Sequence, residues 1–179
     1  MFFSKATGGF YATAIHGEAI PAGAVEITAE EHVALLEGQS SGKRIVADAE
    51  GRPVLADPPA PTLDELKAAK NAEINLARAG ANTSTFPHDG KTFACDALSR
   101  SDIDGVNGYV ALYGALPPAF PGAWKAADNS YYPIADVAAW KAFYASMVAT
   151  GTANFVHAQT LKAQLAEATT PEAVAAIVW

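Results

Sequence analysis

The stretch Asp57-Pro58-Pro59-Ala60-Pro61-Thr62-Leu63-Asp64-Glu65 decides how this chain is organised. Its closely spaced prolines exclude a helix and favour polyproline geometry, so residues 58–61 are typical of a semi-rigid linker. Directly after them, Thr62 and Glu65 have the spacing of a capping box, the reciprocal pair of hydrogen bonds that begins a helix. The stretch therefore predicts a module over residues 1–57, a linker over 58–61 and a second domain over 62–179.

The first module is predicted to be a small β-rich unit with one helix. Short extended segments, Phe2-Phe3 and Phe10-Tyr11, flank a Gly8-Gly9 turn, and a third covers residues 25–27. Residues 43–47 and 52–56 are β-prone and flank a glycine-ended connection, which indicates a hairpin. Because fewer than about 70 residues make a marginal core without disulfides or metal, we expect this module to depend on its neighbour or a partner.

The helix of the first module has both ends marked in the sequence. Thr28 and Glu31 form a second capping box, and Gly38 is predicted to end the helix after Glu37. Its predicted buried side consists of three residues, Val33, Leu36 and His32.

The second domain is predicted to be mostly helical, with two short β-hairpins. Its first helix runs from Thr62 toward Arg78 and stops near Gly80. The turn at residues 88–90 predicts one hairpin within residues 85–95, and residues 127–130 predict the other. The apolar stripe of the first helix is Leu63, Leu66, Ile74 and Ala77.

Three further helices complete the second domain and make the fold class α+β. Ser99 is the predicted N-cap of a helix that ends at Gly114, and an apolar repeat from Val137 to Leu165 predicts one long helix through Gly151. Thr169 or Thr170, with Pro171 in the first turn, begins a last helix that runs to Trp179. The helix after Ser99 is predicted to pack through Ile103, Val106, Val110 and Tyr113.

Charge and composition exclude several classes of partner. The net charge is −7, and no run of lysine and arginine offers a phosphate-binding surface, so we expect no nucleic acid partner. The net-negative charge also disfavours anionic membranes, and no apolar run is long enough to span one. A single cysteine, Cys95, and an N-terminus without signal-peptide character indicate a soluble protein made in a reducing cytoplasm.

The residue types of several catalytic and metal sites occur, but their spacing does not support a site. His88 and Cys95 lie at opposite ends of a predicted strand, about 17 Å apart at roughly 3.3 Å per residue, too far for a nucleophile and its base. The carboxylates near Asp102 lack the glycine and glutamate positions of a calcium-binding loop, and four scattered histidines cannot hold zinc. We therefore predict a non-enzymatic binding protein, with no catalytic residue, cofactor or metal.

Aromatic residues in the second half have two open interpretations. They can form the core between a hairpin and the long helix, or one or two can anchor a partner. The set is Trp124, Tyr131, Tyr132, Trp140, Phe143 and Tyr144. The predicted partner contacts are Trp124 and Tyr132 here, with Phe10 and Tyr11 in the first module.

From Ile74 onward the sequence resembles a domain of unknown function found in tailed bacteriophages and prophages. The segments that carry the resemblance are residues 93–96, 99–103, 124–129, 159–162 and 168–179. Such domains often occur in proteins of the tail-fibre assembly family, and residues 10–28 and 43–58 resemble the compact head of those proteins.

The resemblance implies a chaperone that binds a trimeric, β-rich tail-fibre protein and assists its folding or assembly in the host cytoplasm, and that can stay at the fibre tip. Because the proline linker holds out a first module that is marginal alone, we predict that this module does much of the fibre binding. The resemblance also implies an alternative, a permanent virion component of the tail fibre or baseplate. Neither the fibre nor the oligomeric state follows from the resemblance.

Overall fold

In the computed structural model, which describes residues 1–179, both predicted capping boxes begin helices. Thr28 accepts from the Glu31 N–H (3.0 Å), and Glu31 accepts from the Thr28 N–H (2.7 Å). Thr62 and Glu65 make the same exchange at 3.2 and 2.7 Å. These bonds satisfy backbone donors that the first turn of a helix leaves unpaired.

The chain divides into two units, an N-terminal unit of Met1–Ala60 and a C-terminal unit of Pro61–Trp179. The N-terminal unit contains a three-stranded antiparallel sheet in the order β2-β1-β3 and a separate hairpin, β4-β5. Its strands are β1 Phe2–Ser4, β2 Gly9–Tyr11, β3 Val25–Glu26, β4 Arg44–Ala47 and β5 Pro53–Ala56. The α+β class and the predicted hairpin are confirmed.

Two α-helices, rather than the predicted one, lie in the N-terminal unit. The first, α1 Thr13–His16, is a single turn followed by a 3-10 turn at Gly17–Ala19. The second, α2 Ala29–Ser40, is the helix that the capping box predicts. The single turn of α1 is too short to produce an apolar repeat, so the sequence pattern did not reveal it.

The predicted end of α2 was wrong, because a second glycine ends the helix. Gly42 has φ +94°, its N–H bonds the Gln39 carbonyl (3.0 Å), and the Lys43 N–H bonds the Gly38 carbonyl (3.1 Å). This is the double hydrogen bond of a Schellman motif. Gly38 has a different function: a Cβ there would lie 2.7 Å from Leu55 Cδ2, so the missing side chain lets α2 approach β5.

The predicted buried side of α2 was also wrong. Leu35 is the buried residue, at 6% exposure, whereas Val33 is 52% and Leu36 42% exposed. His32 is half-buried against Phe10, with ring centroids 4.5 Å apart. The close approach of Gly38 to Leu55 places the Leu35 face of α2 against the hairpin, so tertiary packing decides which face of the helix is buried.

The C-terminal unit contains four helices and two hairpins. Helix α3 passes two residues beyond Gly80, and α5 continues through Gly151 as the apolar repeat predicts. The bounds are α3 Leu63–Asn82, β6 Thr85–His88, β7 Lys91–Ala94, α4 Ala97–Tyr113, β8 Ala123–Lys125, β9 Tyr131–Pro133, α5 Val137–Glu167 and α6 Pro171–Ala175. The β6-β7 turn has Asp89 at φ 45° and Gly90 at φ 74°, the left-handed pair expected of a two-residue hairpin loop.

Helix α5 is packed at both ends into separate apolar clusters. Its N-terminal half packs with the β6-β7 hairpin and α4, and its C-terminal half with α3 and α6. The first cluster includes Phe86, Phe93, Ile103, Ile134, Trp140 and Phe143, all fully buried. The second includes Ile74, Ala158, Leu161, Leu165, Val174 and Ile177. Asn154, which interrupts the stripe, donates to Asn82 Oδ1 of α3 at 2.9 Å.

Three local predictions in the C-terminal unit were wrong. Asp96, not Ser99, caps α4, because its carboxylate accepts from the N–H groups of Leu98 and Ser99 at 3.0 Å and Asp ranks among the strongest N-caps. Tyr113 is 67% exposed in the last turn of α4, where it packs on Tyr109. Helix α6, capped by Thr170, ends at Ala175 rather than at Trp179, whose ring packs on His157.

Candidate functional site

The hairpin β4-β5 has one edge with several unpaired backbone groups. The Asp48 N–H donates to the Arg52 carbonyl at 2.9 Å, which fixes the alternation of the ladder above it. Val46 and Arg44 therefore direct their backbone groups at β5, and Ile45 and Ala47 direct theirs outward. No other strand pairs with β4, so two N–H and two carbonyl groups face outward along this edge.

The other edge of the hairpin offers fewer donors. The same alternation directs the backbone of Pro53 and Leu55 outward from β5, and Pro53 has no N–H. A proline at such a position is one way in which proteins block an edge strand. The β4 edge, which holds no proline, is the more complete one for pairing with another strand.

The three-stranded sheet has fewer unpaired backbone groups along its edge, although the predicted contact residues Phe10 and Tyr11 lie in its β2 edge strand. The Ile27 N–H bonds the Met1 carbonyl at 2.9 Å, and the register then leaves only the Phe10 N–H and carbonyl directed outward on β2. The next outward donor, the Ala12 N–H, is bonded to His16 Nδ1 at 3.0 Å. Phe10 is therefore the only residue of β2 whose backbone groups are free to pair with another strand.

Side chains around β4 hold the hairpin to α2 and bring charge to its ends. Arg52 bonds Glu31 of α2 at 2.8 Å, and Lys43 bonds Asp57 at 2.8 Å. The hydrogen bond from Lys43 and its charge hold the pKa of the Asp57 carboxyl below its ordinary value. The apolar side chains Val54 and Leu55 remain more than a third exposed on β5. The hairpin is thus an apolar strand pair with charged ends.

The structure brings two of the four predicted contact residues together. Trp124 and Tyr132 are directly paired across β8-β9, and both are half-buried. The Trp124 ring lies 5.4 Å from that of Trp140 in the core. The Tyr132 hydroxyl donates to Asp89 at 3.0 Å, a bond that raises the pKa of Tyr132.

Phe10 and Tyr11, the other two, are half-buried and point to opposite faces of β2, as neighbours in a strand must. Phe10 packs on Phe3 with ring centroids 5.3 Å apart, and the Tyr11 hydroxyl donates to Thr7 at 3.0 Å. A contact role for the four residues stays a prediction. Sequence reasoning missed the β4 edge, although the parity of the hairpin, read from its turn and Pro53, could have indicated it.

His88 and Cys95, the residue types of a catalytic pair, make separate contacts. His88 Nδ1 lies 2.8 Å from Ser146 Oγ, and its ring packs on Phe143 and Tyr132. Cys95 is buried, and its sulfur accepts from Arg100 at 3.5 Å. No group of three histidine, cysteine, aspartate or glutamate side chains is arranged to hold a metal ion. None of the helices combines the length and hydropathy needed to cross a bilayer.

A family profile for a domain of unknown function, DUF4376, matches residues 65–178. The chain belongs to the DUF4376 family. The DUF4376 region begins in the first turn of α3 and covers nearly all of the C-terminal unit. The match confirms the resemblance to a domain of unknown function inferred from the segments between residues 93 and 179.

The chain is also similar to a protein described as a probable tail fiber assembly protein, from Shigella phage SfV. The two are 43% identical over 65 residues, which is 36% of this chain and 39% of the relative. The chain thus matches about two fifths of the length of that curated relative. The similarity confirms the resemblance to tail-fibre assembly proteins. No solved structure matches the chain.

Proposed function

We propose that this protein is a bacteriophage tail-fibre assembly chaperone, which binds the fibre protein and assists its folding or trimer assembly in the host cytoplasm. The observation that carries the proposal is the 43% identity to the probable tail fiber assembly protein of phage SfV. The role needs no catalytic residue or cofactor, which agrees with the separate contacts of His88 and Cys95.

The physical basis of the proposal is the need to cover unpaired strands. A β-rich fibre chain has exposed strand edges before it forms a trimer, and such edges aggregate unless they are covered. A chaperone can cover one by adding its own strand to the fibre chain through main-chain hydrogen bonds. The outward backbone groups of Ile45 and Ala47 on β4 are the part of the N-terminal unit best suited to this contact.

Co-expression tests the role. We expect the fibre protein of the same phage to be insoluble or monomeric when expressed alone and to form soluble trimers when expressed with this chain. Fibre that forms soluble trimers by itself would rule out the chaperone. Mass spectrometry of purified particles then addresses the alternative, because a permanent virion component stays in the mature particle at a fixed ratio to the fibre.

Substitutions in the full chain test the contact. Ala47→Pro removes an outward N–H and obstructs pairing at β4, but it breaks no bond within the hairpin, so we expect a loss of fibre binding with folding retained. Ala47→Thr keeps the N–H and is the matched control. If both variants bind like wild type, the β4 edge is not the contact.

Alanine variants of the predicted aromatic contacts provide a second test. Tyr11→Ala changes the N-terminal unit and Trp124→Ala the C-terminal unit, so the fibre affinity of each variant tests one unit. If a chain that begins at Thr62 keeps full fibre affinity, the proposal that the N-terminal unit does much of the binding is wrong.

A further inference from the structure

The outward edge of β4 lacks the features that usually keep an edge strand from pairing. Proline, a β-bulge or a row of like charges protects such an edge. Strand β4 contains no proline, and its register with β5 continues without a bulge from Arg44 to Ala47. The charges beside its outward residues, Ile45 and Ala47, have opposite signs, with Arg44 before them and Asp48 after them. This edge is therefore open to a partner strand.

The two charged residues that flank the edge have no ionic partner of their own. Neither Arg44 nor Asp48 belongs to any of the four ion pairs of the protein. Arg44 is exposed, and Asp48 uses one carboxylate oxygen, Oδ1, to accept from the Arg52 N–H at 2.7 Å. Both side chains are therefore available to a charge on another strand.

The sequence of β4 is complementary to itself when two copies run antiparallel. Pairing Ile45 of one copy with Ala47 of the other, and the reverse, uses all the outward N–H and carbonyl groups of both strands. The same register places Arg44 of each copy opposite Asp48 of the other, and Val46 opposite Val46 on the two-fold axis. Opposite charges and β-branched residues that lie directly across from each other stabilise a pair of strands.

The two neighbouring symmetric registers are poorer. Pairing Ile45 with Ile45 brings Lys43 into the ladder, but the Lys43 N–H is already bonded to the Gly38 carbonyl at 3.1 Å. Pairing Ala47 with Ala47 brings in residue 49, which lies in the hairpin turn. Neither register places Arg44 opposite Asp48, so hydrogen bonding and charge select the same arrangement.

We propose that two copies of this chain associate through their β4 strands, in an antiparallel pair that joins the two hairpins into a four-stranded sheet of order β5-β4-β4-β5. Because so short a contact buries less than the roughly 1,200 Å² of a stable complex, the dimer is weak and reversible. The inference rests on the β4 edge and not on the chaperone function. A fibre strand at β4 would use the same backbone groups, so self-pairing covers the edge until a fibre chain is present.

Cysteine cross-linking of the full chain tests the register. Val46 lies opposite its own copy in a non-hydrogen-bonded pair, where Cα atoms are about 4.5 Å apart, a distance that a disulfide spans. Val46→Cys should therefore form a covalent dimer with oxidised glutathione, and buried Cys95 should not interfere. Ala47→Cys is the matched control, because the two copies of Ala47 are about 8 Å apart in this register. Ala47 is the more exposed residue, so random collisions would favour the control.

Sedimentation velocity over a range of protein concentrations tests the charges. Arg44→Glu places a carboxylate opposite Asp48 at both ends of the contact and should weaken self-association by about tenfold or more. Lys125→Glu makes the same change of charge at an exposed residue of the C-terminal unit and should leave it unchanged. Asp48→Asn keeps an oxygen for the Arg52 N–H, so it should weaken the dimer several-fold with the hairpin intact.

These measurements use the purified chain without fibre protein, so their outcome is independent of the co-expression test. If Arg44→Glu disturbs folding, Asp48→Asn and the cysteine variants still test the contact. A wild-type chain that stays monomeric at every concentration leaves the edge to the fibre or another partner and overturns self-pairing. Equal cross-linking of Val46→Cys and Ala47→Cys, or equal weakening by Arg44→Glu and Lys125→Glu, would also overturn it.

Discussion

The two units begin their helices with the same device but have very different cores. Of the twenty buried hydrophobic residues, only Phe3, Ile27 and Leu35 belong to the N-terminal unit, and no cluster of buried residues forms there. The C-terminal unit has two clusters along α5. The capping boxes of α2 and α3 are alike, so local signals do not separate the units. Because the N-terminal unit buries less apolar surface, we expect it to be the less stable of the two and to gain most from the area that a partner can bury.

The largest expected effect comes from one matched substitution in each core. Leu35 and Leu161 are both 6% exposed, so Leu35→Ala and Leu161→Ala should each cost about 2–5 kcal/mol. That loss approaches the whole stability of a small unit, so Leu35→Ala should unfold the N-terminal unit while Leu161→Ala leaves the C-terminal unit folded. Hydrogen exchange measured for each unit checks this. Native-like protection of both units in Leu35→Ala would contradict the expected difference in stability between them.

Two helical glycines should respond to alanine with opposite signs. Gly38→Ala forces Leu55 away from α2 and should destabilise the N-terminal unit by about 1–3 kcal/mol, less a gain of up to about 1 kcal/mol in helix propensity. A Cβ on Gly80 meets nothing within 4 Å, so Gly80→Ala should stabilise the C-terminal unit by about 0.5–1 kcal/mol. Urea denaturation measures both changes. In double variants, Leu55→Ala should show coupling to Gly38→Ala and none to Gly80→Ala.

The caps test whether equal local signals have unequal consequences. Thr28→Ala and Thr62→Ala each remove one acceptor and should each cost about 0.5–2 kcal/mol. Because we expect the N-terminal unit to have the smaller free energy of unfolding, the same cost should leave a larger fraction of it unfolded and give it the faster exchange in absolute terms. Equal exchange rates for the protected amides of the two units in these variants would argue that their stabilities do not differ.

The smallest effect concerns acid pH. The Thr28 N–H lowers the pKa of Glu31, with help from Arg52, and the Thr62 N–H and hydroxyl lower the pKa of Glu65, both from an ordinary value of 4.5. A carboxyl with a lowered folded-state pKa stabilises the fold above its unfolded value and loses that contribution as the pH falls through the folded value. Glu31→Gln and Glu65→Gln should therefore flatten the fall in stability below pH 4.5. Acid titrations of wild type and variants that superimpose would contradict this.

Sequence reasoning succeeded where one short segment contains the whole cause. Each capping box needs two residues three positions apart, and the His88-Asp89-Gly90 turn needs residues that tolerate positive φ. It failed where two local candidates competed, as with Gly38 and Gly42 at the end of α2 or Ser99 and Asp96 at the start of α4. The hairpin was predicted but its outward β4 edge was missed, because the outward groups of β4 depend on the register of the hairpin.

The sequence by itself determined the α+β class, both capping boxes and the long helix through Gly151, because propensity and periodicity are properties of neighbouring residues. Only the tertiary structure decided which face of α2 is buried and which backbone edge faces outward. These depend on which distant segments meet in space. Gly38 illustrates both: the sequence shows a glycine within the helical pattern of α2, and only its contact with Leu55 explains why a glycine is needed there.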